Sequence, residues 1–446
     1  MSQKNYNPYL LFLPFLLIYI AYVLIKREPV LWGDEIRHYD EAVRYASGYF
    51  LNPDKPVVIS NGPGYPLWIT FFLLLHIPLL GLKLINAILI YLSIVLLFKT
   101  LRYYVSFRLA LLISVFWGCY YHNLDFMPYL YAENAAVFLT ILLLFLFVKA
   151  VQHTGSWKNK YVYFAGLAFG YLALTKVIFG YVMVCMLGGT VLIFLFNRNA
   201  DTVRKSILIC LVGLASVIPY LTLTYAHTGK FFYWATSGGN NLYWMSTPYA
   251  GEYGSWFPAA MFQLDSTTNR AGDTKRVVDV EERSTGYIPG TVDSIREHHE
   301  ATYKDIYRFS GVQRDEAYKR HFFENVKKHP KKYLYNCFSN VGRMLFNFPF
   351  TYSVQKPGTL LRIPLNGIIV LFSLLCLVPT FLNWRKINFP ARYFLIFSVL
   401  YFGGSILGSA EIRMFTMIAP LLLFWIGIVL ENFVRIRLKE EQPFNT

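Results

Sequence analysis

Runs such as "LFLPFLLIYIAYVLI" (residues 11–25) and "AAVFLTILLLFLFV" (135–148) constrain this chain more than anything else in it. A segment this apolar is at home in hydrocarbon, where each backbone N–H and C=O must find its partner within the protein, so only helices and closed barrels can cross. A barrel strand alternates apolar and polar residues, whereas these runs are continuous and approach the roughly 20 residues a crossing helix needs. With 55% hydrophobic and 15% charged residues, the 446-residue chain has material for many such helices. The expected class is an all-α polytopic membrane protein.

In a soluble protein a net charge of +16 would point to nucleic acid. Here the basic residues gather in short loops, as the positive-inside rule requires, so no nucleic-acid partner is expected. The clusters Lys99/Arg102/Arg108, Lys149/Lys158/Lys160, Arg198/Arg204/Lys205, Arg385/Lys386 and Arg435/Arg437/Lys439 mark the inner face. They place about ten crossings, near 8–25, 83–101, 109–123, 131–150, 161–176, 177–196, 206–225, 361–381, 392–408 and 414–434. Lys26 and Arg27 then snorkel from the outer end of the first helix. That helix lacks a small-residue cleavage site and is read as retained. "PLWITFFLLLHIPLL" (66–80) spoils the parity if it crosses, and is read as an interfacial helix with Pro66 at its start and Pro78 near its end. Of the five cysteines only Cys337 lies in the large polar region, so no disulfide framework is expected there.

Three parts follow: residues 1–225 with a first outer loop at 26–65, a smaller extracytoplasmic domain at 226–360, and C-terminal helices with a tail at 361–446. This topology brings Asp34, Glu35, Asp125, Glu133, Lys176, Glu411 and Arg413 to the outer membrane boundary. Ionisable groups at such depth are costly and mark a site by default. A carboxylate can take a proton from a bound hydroxyl. Lysine and arginine can hold a phosphate and stabilise the charge it develops on leaving. No glycine-rich nucleotide loop is evident, so the combination points to group transfer from a lipid-linked phosphate outside the cytoplasm.

Five segments in order resemble the GT-C class of membrane glycosyltransferases, near the protein O-mannosyltransferases and the lipid A aminoarabinose transferases. "GDEIRHY" (33–39) is similar to their acidic pair in the first outer loop, "GPGYPLW" (62–68) to their proline-tyrosine segment, and "NLDFMPYLYAEN" (123–134) to their second outer loop. "GLAFGYLALTK" (166–176) resembles their glycine-rich helix ending in a base, and "EIRMFTMIAPLLL" (411–423) the arginine-plus-proline entry to a late helix. The resemblance implies a GT-C-like helical bundle, a polyprenyl-phosphate-linked sugar donor and an inverting single displacement. Asp34 would be the base, with Glu35 beside it as a second catalytic carboxylate at the substrate. Asp125 would be a second acidic residue, in some relatives organised around a metal. Lys176 and Arg413 would bind the donor phosphate, with Glu133 and Tyr65 at the substrate. The chain departs from the family in a single Pro63-Gly64 where a double proline is common, and it carries no "WWD" signature.

Each residue also has a plain structural reading. Asp34 suits a helix N-cap. Glu35 can pair locally with Arg37 or Tyr39. Asp125 can be a solvated carboxylate, Glu133 a charge favouring a helix start, Lys176 a snorkelling lysine, and Arg413 a partner of Glu411. "EHHE" (297–300) reads as a solvated helix face because no spaced metal partner appears. The aromatic residues of 233–256 read as an interfacial belt or domain packing before sugar stacking.

The expectation is an integral membrane glycosyltransferase acting on a glycan, lipid or protein acceptor. Its active site would lie on the extracytoplasmic face of a bacterial plasma membrane, among membrane lipids. The sequence names no certain cofactor; a divalent metal enters only through the resemblance. The rival readings are a transporter or flippase of lipid-linked sugars, in which the same charges hold a headgroup, and a ligase or polymerase of lipid-linked glycans. The absence of paired hydropathy repeats disfavours the transporter.

Overall fold

The computed structural model describes residues 7–434 apart from 29, 52–58, 60, 156, 197–200, 258–289, 353–359 and 361. The basic residues Arg198, Arg435, Arg437 and Lys439 of the topology argument lie outside the described residues. The described chain is helical, with no strand. A short α1 (Pro8–Leu11) leads into α2 (Leu13–Lys26), α3 (Asp34–Ala46), α4 (Gly64–Leu74), α5 (Leu79–Leu101), α6 (Phe107–Gly118) and α7 (Tyr121–Phe126). Then come α8 (Ala132–Gln152), α9 (Lys160–Thr175), α10 (Ile178–Phe196) and α11 (Asp201–Thr228). Four helices occupy the polar insert: α12 (Gly238–Met245), α13 (Thr291–Ile306), α14 (Gly311–Lys328) and α15 (Pro330–Phe346). The chain closes with α16 (Arg362–Leu382), α17 (Phe389–Ile406) and α18 (Ile412–Phe433).

Among the described residues seven helices are long and apolar enough to cross a membrane: α5, α8, α10, α11, α16, α17 and α18. The chain is an integral, multi-pass membrane protein. Three of the ten expected crossings fall short, because α2, α6 and α9 have only 14, 12 and 16 residues. At 1.5 Å per residue, 12 residues reach only about 18 Å, against roughly 30 Å of hydrocarbon. The segment expected at the interface is likewise short: α4 has 11 residues and ends before Pro78, which caps α5.

Packing follows membrane rules, in which small residues let backbones approach. A Cβ at Gly166 would strike Val212, and one at Gly170 would collide with Ser216, so the glycines of "GLAFGYLALTK" seat α9 directly on α11. On its other side α9 packs along α8, and α18 is surrounded by α5, α6, α8, α16 and α17. In α12–α15 a separate core forms from Tyr243, Trp244, Phe257, Ile295, Tyr303, Ile306, Ala317 and Tyr318. The aromatic residues there pack the insert, while Trp234 joins the main core.

"EHHE" is a solvated face only in part: Glu297 and Glu300 are exposed, but His299 is 1% exposed and both histidines meet Glu252, with His299 Nε2 and His298 Nδ1 each 2.9 Å from a carboxylate oxygen. The partner sits 46 and 47 positions upstream, beyond any local spacing rule.

Candidate active site

Helix direction alone gathers the charged residues. α8 and α18 begin at the end of the bundle where α2 and α9 finish, so the first turns of the former meet the last turns of the latter. α3 starts at that end, just after Gly33, whose φ of 53° is a turn that favours glycine. The other end carries Lys99, Arg102, Lys149, Lys160, Arg204 and Lys205, at the close of α5 and α8 and the start of α9 and α11.

Four expected residues form one network. Arg413 Nη1 lies 2.7 Å from Asp34 Oδ2, and Arg413 Nε lies 3.4 Å from Glu133 and 3.1 Å from Glu411. Lys176 Nζ donates to Glu133 Oε1 at 2.8 Å. Arg37, one helical turn beyond Asp34, completes the set at 3.2 Å from Asp34 Oδ1. Glu133 is almost fully buried, whereas the side chains of Asp34, Arg413 and Lys176 keep 28%, 22% and 19% of their surface open. The two cations and the Asp34 carboxylate are therefore open in part to solvent. Burial raises the Asp34 carboxyl, but Arg413 and Arg37 outweigh it and hold the group well below the usual carboxylate range. Asp34 is ionised in this state.

The surrounding elements fix these side chains. Lys176 caps the C-terminus of α9, where a Cβ at Gly62 or Gly64 would meet the Leu174 carbonyl or the Thr175 amide. The Tyr171 hydroxyl donates to the Gly64 carbonyl at 2.8 Å. "GPGY" is thus pressed onto the last turn of α9 and carries Tyr65, which is 1% exposed. Arg413 is held through the turn before α18. Asn340 of α15 donates to the carbonyls of Ser405, Ile406 and Gly408, and accepts from the Ala410 amide. The buried Arg343 donates to the carbonyls of Ala410, Tyr253, Gly254 and Pro349 and to Asn340. The insert therefore clamps the start of the helix that presents Arg413.

Glu35 sits apart from its neighbour. It is fully buried, accepts from the amides of Trp32 (3.0 Å) and Leu130 (2.8 Å), and pairs with the buried Lys83 at 3.4 Å. Lys83 also donates to the Glu28 carbonyl at 3.1 Å. Successive helix residues point about 100° apart, so one acid of the pair faces Arg413 and the other joins α3 to α5 and to the segment before α8. Its local pairing with Arg37 gives way to Lys83, and Arg37 turns to Asp34. Asp125 lies on α7 near Tyr22 and Tyr129; the ion pairs that join Asp34, Glu133, Lys176 and Arg413 do not include it. No group of three or more His, Cys, Asp or Glu gathers for a metal among the described residues. The carboxylates of the network face arginine and lysine, which does not fit a metal centre.

Sequence reasoning missed Lys83 and His38. Lys83 is a lone cation in an apolar run, a signal that was available. His38, four positions after Asp34 on α3, is 4% exposed and meets the Tyr65 ring edge-on at 5.0 Å.

No protein-family model matches the sequence, and no curated protein matches it. Solved structures similar to it include ArnT from Cupriavidus metallidurans bound to undecaprenyl phosphate. It is 14% identical, with a TM-score of 0.42, over 95% of this chain and 77% of that one. Another is the archaeal oligosaccharyltransferase AglB from Archaeoglobus fulgidus with an inhibitory peptide and a dolichol-phosphate, 13% identical with a TM-score of 0.46. That match spans 94% of this chain and 50% of the other. At these identities and scores the activity has to be read from this chain's own residues.

Proposed function

We propose that the protein is an inverting membrane glycosyltransferase that moves a sugar from a polyprenyl-phosphate-linked donor to an extracytoplasmic acceptor. The observation that carries this reading is the convergence of Asp34, Glu133, Lys176 and Arg413 from four separate helix ends on one partly open network. The basic residues at the opposite end of the bundle support an outward-facing site.

In this reading Lys176 and Arg413 hold the donor phosphate, and charge-assisted hydrogen bonds strengthen as negative charge builds on the leaving oxygen. The acceptor oxygen attacks the anomeric carbon from the face opposite the phosphate. The new C–O bond forms as the bond from that carbon to the phosphate oxygen breaks, and its electron pair leaves with the polyprenyl phosphate. Asp34 takes the acceptor proton. A carboxylate held so low is a weak base while Arg413 lies on it. A donor phosphate competes for Arg413, which restores basicity to Asp34 as the donor arrives. Because the leaving phosphate is already weakly basic, no protonated general acid is required. Glu133, buried beneath both cations, orients them. Glu35 sets the pose of α3 through Lys83 and does not touch the reacting atoms.

The test uses purified protein with a panel of polyprenyl-phosphate sugars and a membrane extract as acceptor, and measures release of polyprenyl phosphate. Wild type should release it. Asp34→Asn should bind donor yet turn over about 10²–10⁴-fold more slowly, the usual loss for a general base. Binding without turnover in the wild type would favour a lipid-linked-sugar transporter instead.

A further inference from the structure

His38 carries a hydrogen-bond donor that no other described residue uses. Arg37 Nη2 lies 3.3 Å from His38 Nε2. A guanidinium only donates, so Nε2 must be the accepting nitrogen and the ring proton must sit on Nδ1. Burial, reinforced by the Arg37 charge, pushes the imidazole down to about 3, so the ring is neutral with a single N–H. That Nδ1 is buried and meets no partner among the described residues. A buried donor without an acceptor is costly, and such groups are rare unless they serve a ligand. The ring is near enough to Asp34, Lys176 and Glu133 to feel their charges, and its edge meets Tyr65 at an interplanar angle of 84°.

We infer that His38 is a substrate-contacting residue whose Nδ1–H donates to an oxygen of the lipid-linked donor, either on the phosphate or on the sugar. This rests on the proposed function. A neutral donor suits this place. A further cation beside Lys176, Arg413 and Arg37 would bind free phosphate and product equally well, whereas a single N–H adds direction without adding charge. Arg37, bridging Asp34 and His38, would then link the base to the donor contact on successive turns of α3.

The experiment measures binding of a polyprenyl monophosphate and of its sugar-linked form to detergent-solubilised wild type, His38→Phe, His38→Asn and His38→Gln. The asparagine amide reaches the position of Nδ1 and the glutamine amide that of Nε2. Wild type should bind, His38→Phe and His38→Gln should weaken binding about tenfold, and His38→Asn should stay near wild type. Weakening of both ligands places the contact on phosphate, and weakening of the sugar form alone places it on the sugar. Equal loss in all three variants would make the ring a packing element against Tyr65 and overturn the inference. Wild-type affinity in all three would overturn it too, while leaving the proposed function standing. If wild type binds neither ligand, the proposed function falls and this inference with it. Should His38→Phe fail to fold, the asparagine–glutamine pair decides alone.

Discussion

Two buried carboxylate clusters in this molecule look alike on paper and differ in kind. In the insert, Glu252 is 4% exposed and receives His298, His299 and the Thr247 hydroxyl, with Tyr243 donating to or accepting from His299 at 2.6 Å and Tyr249 stacked on His298 at 4.0 Å. At the bundle end, Asp34 and Glu133 are met by Arg413, Arg37 and Lys176, three full charges drawn from two helices and a helix cap. The insert cluster buries Glu252 and His299 against an aromatic core, with His298 32% exposed at its edge, and joins them by hydrogen bonds to histidine, threonine and tyrosine. The bundle-end network is held by full charges instead, and in the proposed reading its cations trade a carboxylate for an incoming anion.

The largest expected effect concerns a third, fully sealed pair. Lys83→Met would leave Glu35 charged, buried and unpaired, at a cost of about 3–5 kcal/mol. The double variant Lys83→Met/Glu35→Met should recover most of that loss, and thermal unfolding in detergent measures the coupling. If both single variants unfold like wild type, the strut between α3 and α5 is not what positions Asp34.

Next comes Arg413→Lys. Lysine keeps the charge but loses the fork that reaches Asp34, Glu133 and Glu411 together. Turnover should fall by about 10- to 100-fold, while the unfolding midpoint changes little. A large loss of stability with unchanged activity would move Arg413 into the same structural class as the insert cluster.

The smallest effect sharpens the comparison from the other side. Burial raises Glu252, but the His299 hydrogen bond and charge, with Thr247 and His298, outweigh it and hold the carboxyl below its ordinary value of 4.5. The unfolded chain then binds the extra proton first as pH falls. The stabilisation from Glu252 is present above that ordinary value and is lost as the pH drops through the lower folded-state value. Glu252→Gln should cost about 1–3 kcal/mol at neutral pH and flatten this part of the acid limb of stability, with donor binding unchanged. A weakened donor affinity in Glu252→Gln would blur the distinction between the clusters.

Much of the site was legible in the sequence because topology is a strong organiser. Apolar runs set helix positions, basic clusters set direction, and the ends of alternate helices then share a face, which united Asp34 with Arg413 across 379 positions. Side-chain orientation was not legible. Asp34 and Glu35 are adjacent, yet the turn at Gly33 sends one to Arg413 and the other to Lys83. Glu252 sits too far from "EHHE" for any spacing rule to pair them. The donor on His38 depends on which imidazole nitrogen faces Arg37, a matter of tertiary geometry. Helix length was misjudged where an apolar run contains a break, as at Cys119–Tyr120 between α6 and α7.

The most direct test of the account is equilibrium binding of a polyprenyl monophosphate to wild type and to the double variant Lys176→Met/Arg413→Met. The account predicts saturable binding by wild type and a loss of at least about 100-fold in the double variant. Equal affinity in the two proteins would contradict it, because the open network at the bundle end would then not be where the anion is held.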